Sequence, residues 1–205
     1  MKIMLINGSP KRKKSSSGIL AKALKQFLKD NFVSEYHVPD KKTAIPDDWC
    51  DQDAIVFLFP LYVDALPAHL LQFLAQLETK LPKHPIAVYA VVNCGFYEGK
   101  QNKWALKMME NWCLRSGAKW GGGIGVGGGG MVPAMGDLTR EKGFGKDICC
   151  ALKNLAQSIL KKQLCQIQFV SPNFPRCLYI MMAQRGWRKQ IKQNGMKVAE
   201  LNRRL

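Results

Sequence analysis

The feature that most restricts this chain is its opening. A short apolar run, Lys2–Asn7, breaks at Gly8 and feeds the polar loop Gly8-Ser9-Pro10-Lys11-Arg12-Lys13-Lys14-Ser15-Ser16-Ser17-Gly18, after which a helical pattern begins. An apolar run of strand length without polar alternation suits a strand covered on both faces. Over Gly18–Lys29, Ile19, Leu20, Ala23, Leu24, Phe27 and Leu28 fall on one face and Lys22, Lys25 and Lys29 opposite, which predicts an amphipathic helix. Strand, loop and helix in this order begin a crossover unit, and crossover units build parallel sheets.

The pattern then repeats. Val33–Val38 reads as a shorter, more polar edge strand, and Asp53–Phe59 as the most apolar strand, ending at Pro60. Pro67 stands where a first helical turn tolerates proline, and Leu70, Leu71, Leu74 and Leu77 give that helix a buried stripe. Pro85 to Asn93 is the next strand, rich in valine. Gln101–Ser116 reads as a helix burying Leu106, Met109, Trp112 and Cys113; Trp120–Val126 is a glycine-laden fifth strand running into Gly127–Gly130; Ile148, Leu152, Leu155 and Ile159 mark a last long helix ending near Lys162. The expected fold is therefore α/β, a doubly wound sheet of five parallel strands in the order 2-1-3-4-5.

The composition changes after residue 170. Ser171-Pro172-Asn173-Phe174-Pro175 is a breaker-rich linker. Beyond it, Arg176–Leu205 holds eight Lys/Arg against one acid, Glu200, interleaved with Leu178, Tyr179, Ile180, Met181, Met182 and Trp187. A domain over 1–170 and a basic amphipathic extension over 171–205 are expected, the extension as a helix, a turn at Asn194-Gly195 and a short second helix.

No apolar run approaches the roughly 20 residues that span a bilayer, and Ile3–Ile6 is too short for a signal peptide. The seven cysteines form no CxxC pair and no spaced zinc set, so no metal is expected. Their odd number without a secretion signal fits reduced thiols and a cytoplasmic location. The net charge of +16 attracts anions, which leaves a solvated lysine surface, an anionic cofactor or a docking tail as readings.

In a doubly wound sheet the ligand crevice lies beyond the carboxyl ends of the strands, so the loops after strands one, three and four come into question. In the first, the hydroxyls of Ser9, Ser15, Ser16 and Ser17 can donate to phosphate oxygens. The N–H groups of Ser17, Gly18 and Ile19 open a helix whose dipole favours an anion, and Lys11 to Lys14 raise the positive potential. The alternative is a solvated turn capped by Ser15 or Ser17. In the second, Pro60-Leu61-Tyr62-Val63-Asp64-Ala65-Leu66-Pro67, an aromatic between two prolines suits a stiff wall against a flat ligand. In the third, Asn93-Cys94-Gly95-Phe96-Tyr97-Glu98-Gly99, the glycines permit close backbone approach, and Phe96 or Tyr97 can stack. Cys94 has no neighbour in sequence that would lower its pKa and reads as structural.

GxxxxGK[ST] and GxGxxG are both missing after the first strand, which argues against nucleotide hydrolysis and a dinucleotide fold of the Rossmann kind. The histidines at 37, 69 and 84 are scattered, and no hydrolytic triad emerges. The glycines at 121–130 point to close packing of backbone against a helix or cofactor.

The stretches INGSPKRKKSSSG, FPLYVDALPAHL and VVNCGFYEGKQ resemble the NAD(P)H-dependent FMN reductase group of the flavodoxin-like superfamily. WGGGIGVGGGGM and the tail SPNFPRCLYIMMAQRGWRKQIKQNG look like a bacterial subgroup of flavodoxin-family oxidoreductases. The resemblance implies FMN as bound cofactor and NAD(P)H as electron donor. It would place Ser9, Lys11, Ser15, Ser16, Ser17, Gly18 and Ile19 at the FMN phosphate. Pro60, Leu61, Tyr62, Val63 and Asp64 would line the ribityl chain and one ring face, with Asn93, Cys94, Gly95, Phe96 and Glu98 at the ring edge. The family's first loop has one basic residue where this chain has four. The cysteine cluster of related iron–sulfur flavoproteins is absent.

A flavoprotein oxidoreductase passing electrons to a quinone, flavin or similar small acceptor is thus expected, with no catalytic side chain. An electron carrier like flavodoxin, or a non-catalytic FMN-binding protein docked by its tail, are the alternatives. Related folds often dimerise, though no feature here demands a homodimer. Nucleic acid is not an expected partner. Peripheral membrane contact through the extension ranks below a tail packed on the domain or on a partner copy.

Overall fold

A computed structural model of the chain describes residues 1–11, 14–40, 42–80 and 86–202. Arg12, Lys13, His84, Pro85 and the last three residues therefore lie outside the described part. The chain divides into two units, Met1–Asn173 and Phe174–Leu205.

The first unit is built on β1 (Lys2–Asn7), α1 (Ser16–Phe27), β2 (Phe32–His37), β3 (Ala54–Pro60), α2 (Ala68–Glu78), β4 (Ala87–Asn93), α3 (Lys103–Ser116), β5 (Lys119–Val126), α4 (Lys146–Leu160) and β6 (Gln168–Val170). All pairings are parallel, in the order β2-β1-β3-β4-β5-β6. The central strands are apolar throughout because both of their faces are covered. Ile3, Leu5, Val56, Leu58 and Val91 face α1 and α4, while Met4, Ile6, Phe57, Phe59 and Val92 face α2 and α3. On the second face Trp112 meets Phe57 edge to face.

The expectation of five strands is corrected to six. The five expected strands keep their order, and β6 is added beyond β5, pairing Ile124 with Gln168 and Val126 with Val170. Its sequence, Gln-Phe-Val, is short, only half-buried and adjacent to a breaker-rich stretch, so it carries no strand pattern. Topology hid it as well. Helix α4 lies on the same face as α1, yet β5 to β6 steps across the sheet in the direction opposite to β1 to β2. That connection has the opposite hand to the other crossovers, an arrangement parallel units seldom adopt.

The glycines of β5 have local causes. Gly121 lies at a register shift opposite Val88 and Tyr89, and a Cβ there would stand 2.4 Å from the Tyr89 ring. Gly122, at φ +102, would drive a Cβ into the Cys165 carbonyl. A Cβ at Gly123 would stand 2.8 Å from Leu106 of α3, so the expected close packing against a helix is found there, while Gly121 and Gly122 pack against a ring and neighbouring backbone.

Helix boundaries move by a few residues. α1 starts at Ser16 rather than Gly18, with Ser15 as N-cap; α3 is preceded by a 3-10 turn over Gly99–Asn102. Ser171 and Pro172 bond within the first unit, to the Gly99 N–H and the Tyr97 hydroxyl. The second unit is α5 (Arg176–Gln193), a turn at Asn194-Gly195 with Gly195 at φ +75, and a 3-10 helix over Val198–Asn202. Among the described residues no helix is long and apolar enough to cross a membrane, and no group of three His, Cys, Asp or Glu could hold a metal.

Candidate functional site

Because the strands are parallel and in register, Asn7, Pro60, Asn93 and Val126 end at one edge of the sheet. The loops that follow them meet there, and buried hydrogen bonds join them. Ser17 Oγ donates to Asn93 Oδ1 at 2.7 Å, tying the start of α1 to the end of β4. Ser16 Oγ donates to the Gly129 carbonyl at 2.7 Å, tying the same turn to the loop after β5. The Gly129 N–H in turn donates to the Cys94 carbonyl at 2.7 Å.

The first loop closes on itself. Ser9 is buried; its N–H donates to Asn7 Oδ1 at 3.0 Å, and its Oγ accepts from the Lys11 N–H at 3.3 Å. Ser15 Oγ accepts from the Gly18 N–H at 3.0 Å, and the Ile19 N–H bonds the Ser15 carbonyl. Two histidines hold the loop's carbonyls. His37 Nε2 lies 2.7 Å from the Ser9 oxygen and His69 Nε2 3.1 Å from the Gly8 oxygen. A carbonyl only accepts, so each Nε2 carries the proton.

These bonds redistribute the donors expected from sequence. The hydroxyls of Ser16 and Ser17 are spent on carbonyl oxygens, and the N–H groups of Gly18 and Ile19 are spent in the cap. The N–H groups of Ser16 and Ser17, in the first turn of α1, have no helical carbonyl to bond. The Ser9 and Ser15 oxygens accept, and among the described residues no acceptor takes their hydroxyl protons. What remains is an N-terminal helical turn with two N–H donors that have no partner among the described residues, and the Lys11 and Lys14 ammonium groups on the same loop, an arrangement suited to a phosphate-sized anion.

After β3, Tyr62 and Ala65 exchange backbone hydrogen bonds at 3.0 Å around Val63 (φ 48) and Asp64 (φ 57). Positive φ at both central residues makes this a type I′ turn. A β-branched residue in that region is strained, and here it stands 99% exposed at the tip. The Leu61 N–H bonds the Asn93 carbonyl at 2.8 Å, which continues the β3–β4 pairing into the loops. Tyr62 and Phe96 rise from these adjacent loops, 45% and 56% exposed.

The loop after β4 is anchored from below. Asn102 Nδ2 donates to Cys94 Sγ, the Gly99 carbonyl and the Val126 carbonyl. Asn102 Oδ1 is buried without a partner among the described residues. Burial pushes the Cys94 thiol pKa up, the opposing hydrogen bonds from the Phe96 backbone and Asn102 being smaller. Cys94 is therefore a neutral structural thiol, as its sequence context suggests. Glu98 is half-buried in this loop, and Gly95 has open space where a Cβ would stand. A Cβ at Gly127, by contrast, would lie 2.0 Å from the Tyr97 carbonyl. Glycine there lets the β5 loop pass under the β4 loop.

Sequence reasoning missed His37, His69 and Gly129, whose partners are tens of residues away and leave no local signal, and Asn102, which joins nearby Cys94 and Gly99 to the more distant Val126. A cavity of about 890 Å3 lies at the other end of the sheet, against Met1, Lys2, Ala87 and Lys119. Strand polarity places the open backbone donors at the carboxyl edge, and the site is assigned there on that ground.

No family model matches the chain. No curated protein matches its sequence. Solved structures do match in fold. A flavodoxin from Streptococcus pneumonia TIGR4 superposes with TM-score 0.53 at 15% identity, over 79% of this chain and 99% of its own. An NADH:FMN oxidoreductase in its apo form gives 0.57 at 16%, over 79% and 89%. An NAD(P)H:quinone oxidoreductase from Methanothermobacter marburgensis gives 0.51 at 16%, over 76% and 96%. The chain has the flavodoxin-like fold that this flavodoxin and these two oxidoreductases share.

Proposed function

We propose that the protein is a flavoprotein oxidoreductase that binds FMN at the carboxyl edge of the sheet and passes electrons from NAD(P)H to a quinone, free flavin or similar small acceptor. The observation that carries this reading is the open first turn of α1, bonded through Ser16 and Ser17 to the loops after β5 and β4 and flanked by the exposed rings of Tyr62 and Phe96. An anion cradle bonded to Asn93, which carries the Phe96 loop and pairs with Leu61 beside Tyr62, suits a ligand with a phosphate at one end and a flat ring at the other. The names of the solved structures that share the fold point the same way.

In this reading the N–H groups of Ser16 and Ser17 and the hydroxyl of Ser15 donate to phosphate oxygens, and Lys11 offsets the charge. Ser9, Gly18 and Ile19 shape the loop through the bonds described above. The backbone of Pro60, Leu61, Val63 and Asp64 and the ring of Tyr62 wall one side of the flat moiety. Asn93, Cys94, Gly95, Phe96 and Glu98 form its edge, with the space beside Gly95 permitting close approach. Bound flavin supplies hydride acceptance and electron delivery; the protein binds and orients it. Cys94 keeps its proton and takes no part.

Adding NADH or NADPH to the FMN-loaded protein with an artificial acceptor tests the assignment. Continuous NAD(P)H oxidation supports a reductase. Bound flavin without turnover favours the electron carrier, a reading to which the near-complete coverage of the flavodoxin lends weight.

A further inference from the structure

A groove of about 360 Å3 adjoins the phosphate cradle on the side away from Tyr62 and Phe96 and has no place in the account above. It exists because α1 packs over β1, β3 and β4, leaving edge strand β2 without a helix on that face. Its floor is apolar, from Leu5 and Ile19, and Glu35 and His37 of β2 bound it. Ser15 and Gly18 line it as well, so the N-cap of α1 belongs to both cradle and groove.

The charge of the groove is positive. Lys11 and Lys14 line it beside the cradle, and Lys22 lines it one helical turn beyond Gly18. Among the described residues no carboxylate pairs with any of the three. Glu35, the carboxylate lining the groove, is held by Lys25 at 2.7 Å. His37 spends Nε2 on the Ser9 carbonyl, and Nδ1 has no partner among the described residues.

We propose that this groove takes the second phosphate and the adenosine of a dinucleotide flavin, so that the site accepts FAD with its first phosphate in the cradle. The inference rests on the reading that the cradle holds a flavin phosphate. A second phosphate is bonded to the first and must fall beside it, and Ser15 and Gly18 make the groove the adjoining space. Three unpaired ammonium groups suit added phosphate charge. The apolar floor suits a flat base, and the volume falls within the range of roughly 300–1,000 Å3 typical of ligand pockets. FMN alone, its phosphate beside Lys11, would leave Lys14 and Lys22 without a carboxylate or phosphate partner among the described residues.

The test is calorimetric titration of the flavin-free full-length protein with FMN and with FAD, for the wild type, Lys22→Glu and Lys22→Ala. Lys22 is exposed on α1 and makes no contact in the cradle, so both variants retain the fold. FAD is expected to bind at least as tightly as FMN. Lys22→Glu is expected to weaken FAD by about tenfold or more, and Lys22→Ala by less, with FMN changed by no more than about twofold. FMN binding with FAD more than about tenfold weaker, or equal loss of both ligands in the variants, overturns this inference and leaves the cradle reading standing. Failure of either flavin to bind the wild type overturns both.

Discussion

Ser17 and Asn93 lie 76 residues apart in the chain and meet through a buried hydrogen bond of 2.7 Å. That bond ties the first turn of α1 to the end of β4, from which the Phe96 loop leaves. Ser17→Ala leaves Asn93 Oδ1 buried without its donor, a loss of about 1–3 kcal/mol. Urea unfolding should show that loss, and FMN titration should show weaker binding although no hydroxyl is removed from the ligand. An unchanged unfolding midpoint would mean that the bond contributes nothing.

Neighbouring glycines in the β5 loop should behave differently. Gly127→Ala places a methyl 2.0 Å from the Tyr97 carbonyl, with backbone on either side that cannot yield. Gly130 has nothing within 4 Å of the same atom. Thermal unfolding should record a loss of about 3 kcal/mol or more for Gly127→Ala, and a change within about 0.5 kcal/mol for Gly130→Ala.

Stability should fall in strong alkali through two buried acids. Burial first, and the nearby Cys165 second, push the Tyr89 phenol up to about 12 from 10.0. Burial first, with Glu110, pushes the Cys113 thiol up to about 12 from 9.0. Each group keeps its proton in the folded state at a pH where the unfolded chain has released it. The stabilisation is complete below the unfolded pKa and is lost as pH rises toward about 12, beginning near pH 9 for Cys113 and near pH 10 for Tyr89. The urea midpoint should therefore drop across that window, and Tyr89→Phe should make the part above pH 10 shallower.

Thiol accessibility gives an independent check of the packing. Cys94, Cys113, Cys149 and Cys165 are buried, and burial raises the pKa of each. Cys177 is exposed, while Cys50 and Cys150 are intermediate. With a chromogenic disulfide reagent, Cys177 should react first and the two intermediate thiols more slowly. The four buried thiols should react only on unfolding.

The central sheet was legible because buried parallel strands are apolar along their length, as in Asp53–Phe59, and because each helix shows its own stripe. The position proposed for the site rests on strand polarity, which the sequence order of strands and helices already implies. What stayed hidden depends on distant partners. The Ser16 and Ser17 hydroxyls look free in sequence and are spent on Gly129 and Asn93. His37 and His69 look scattered and hold adjacent carbonyls of one loop. The Val63-Asp64 turn has neither Asn nor Gly to announce its positive φ angles. β6 is three residues paired to a glycine-rich strand by a crossover of the rarer hand, so neither pattern nor topology rule suggested it.

The most direct test of the account is titration of FMN fluorescence with the flavin-free protein, run beside riboflavin. Saturable quenching at one FMN per chain is expected, with riboflavin at least about tenfold weaker because it lacks the phosphate that Ser15, Ser16, Ser17 and Lys11 would hold. Absence of saturable FMN quenching, or equal affinity for riboflavin, would contradict it.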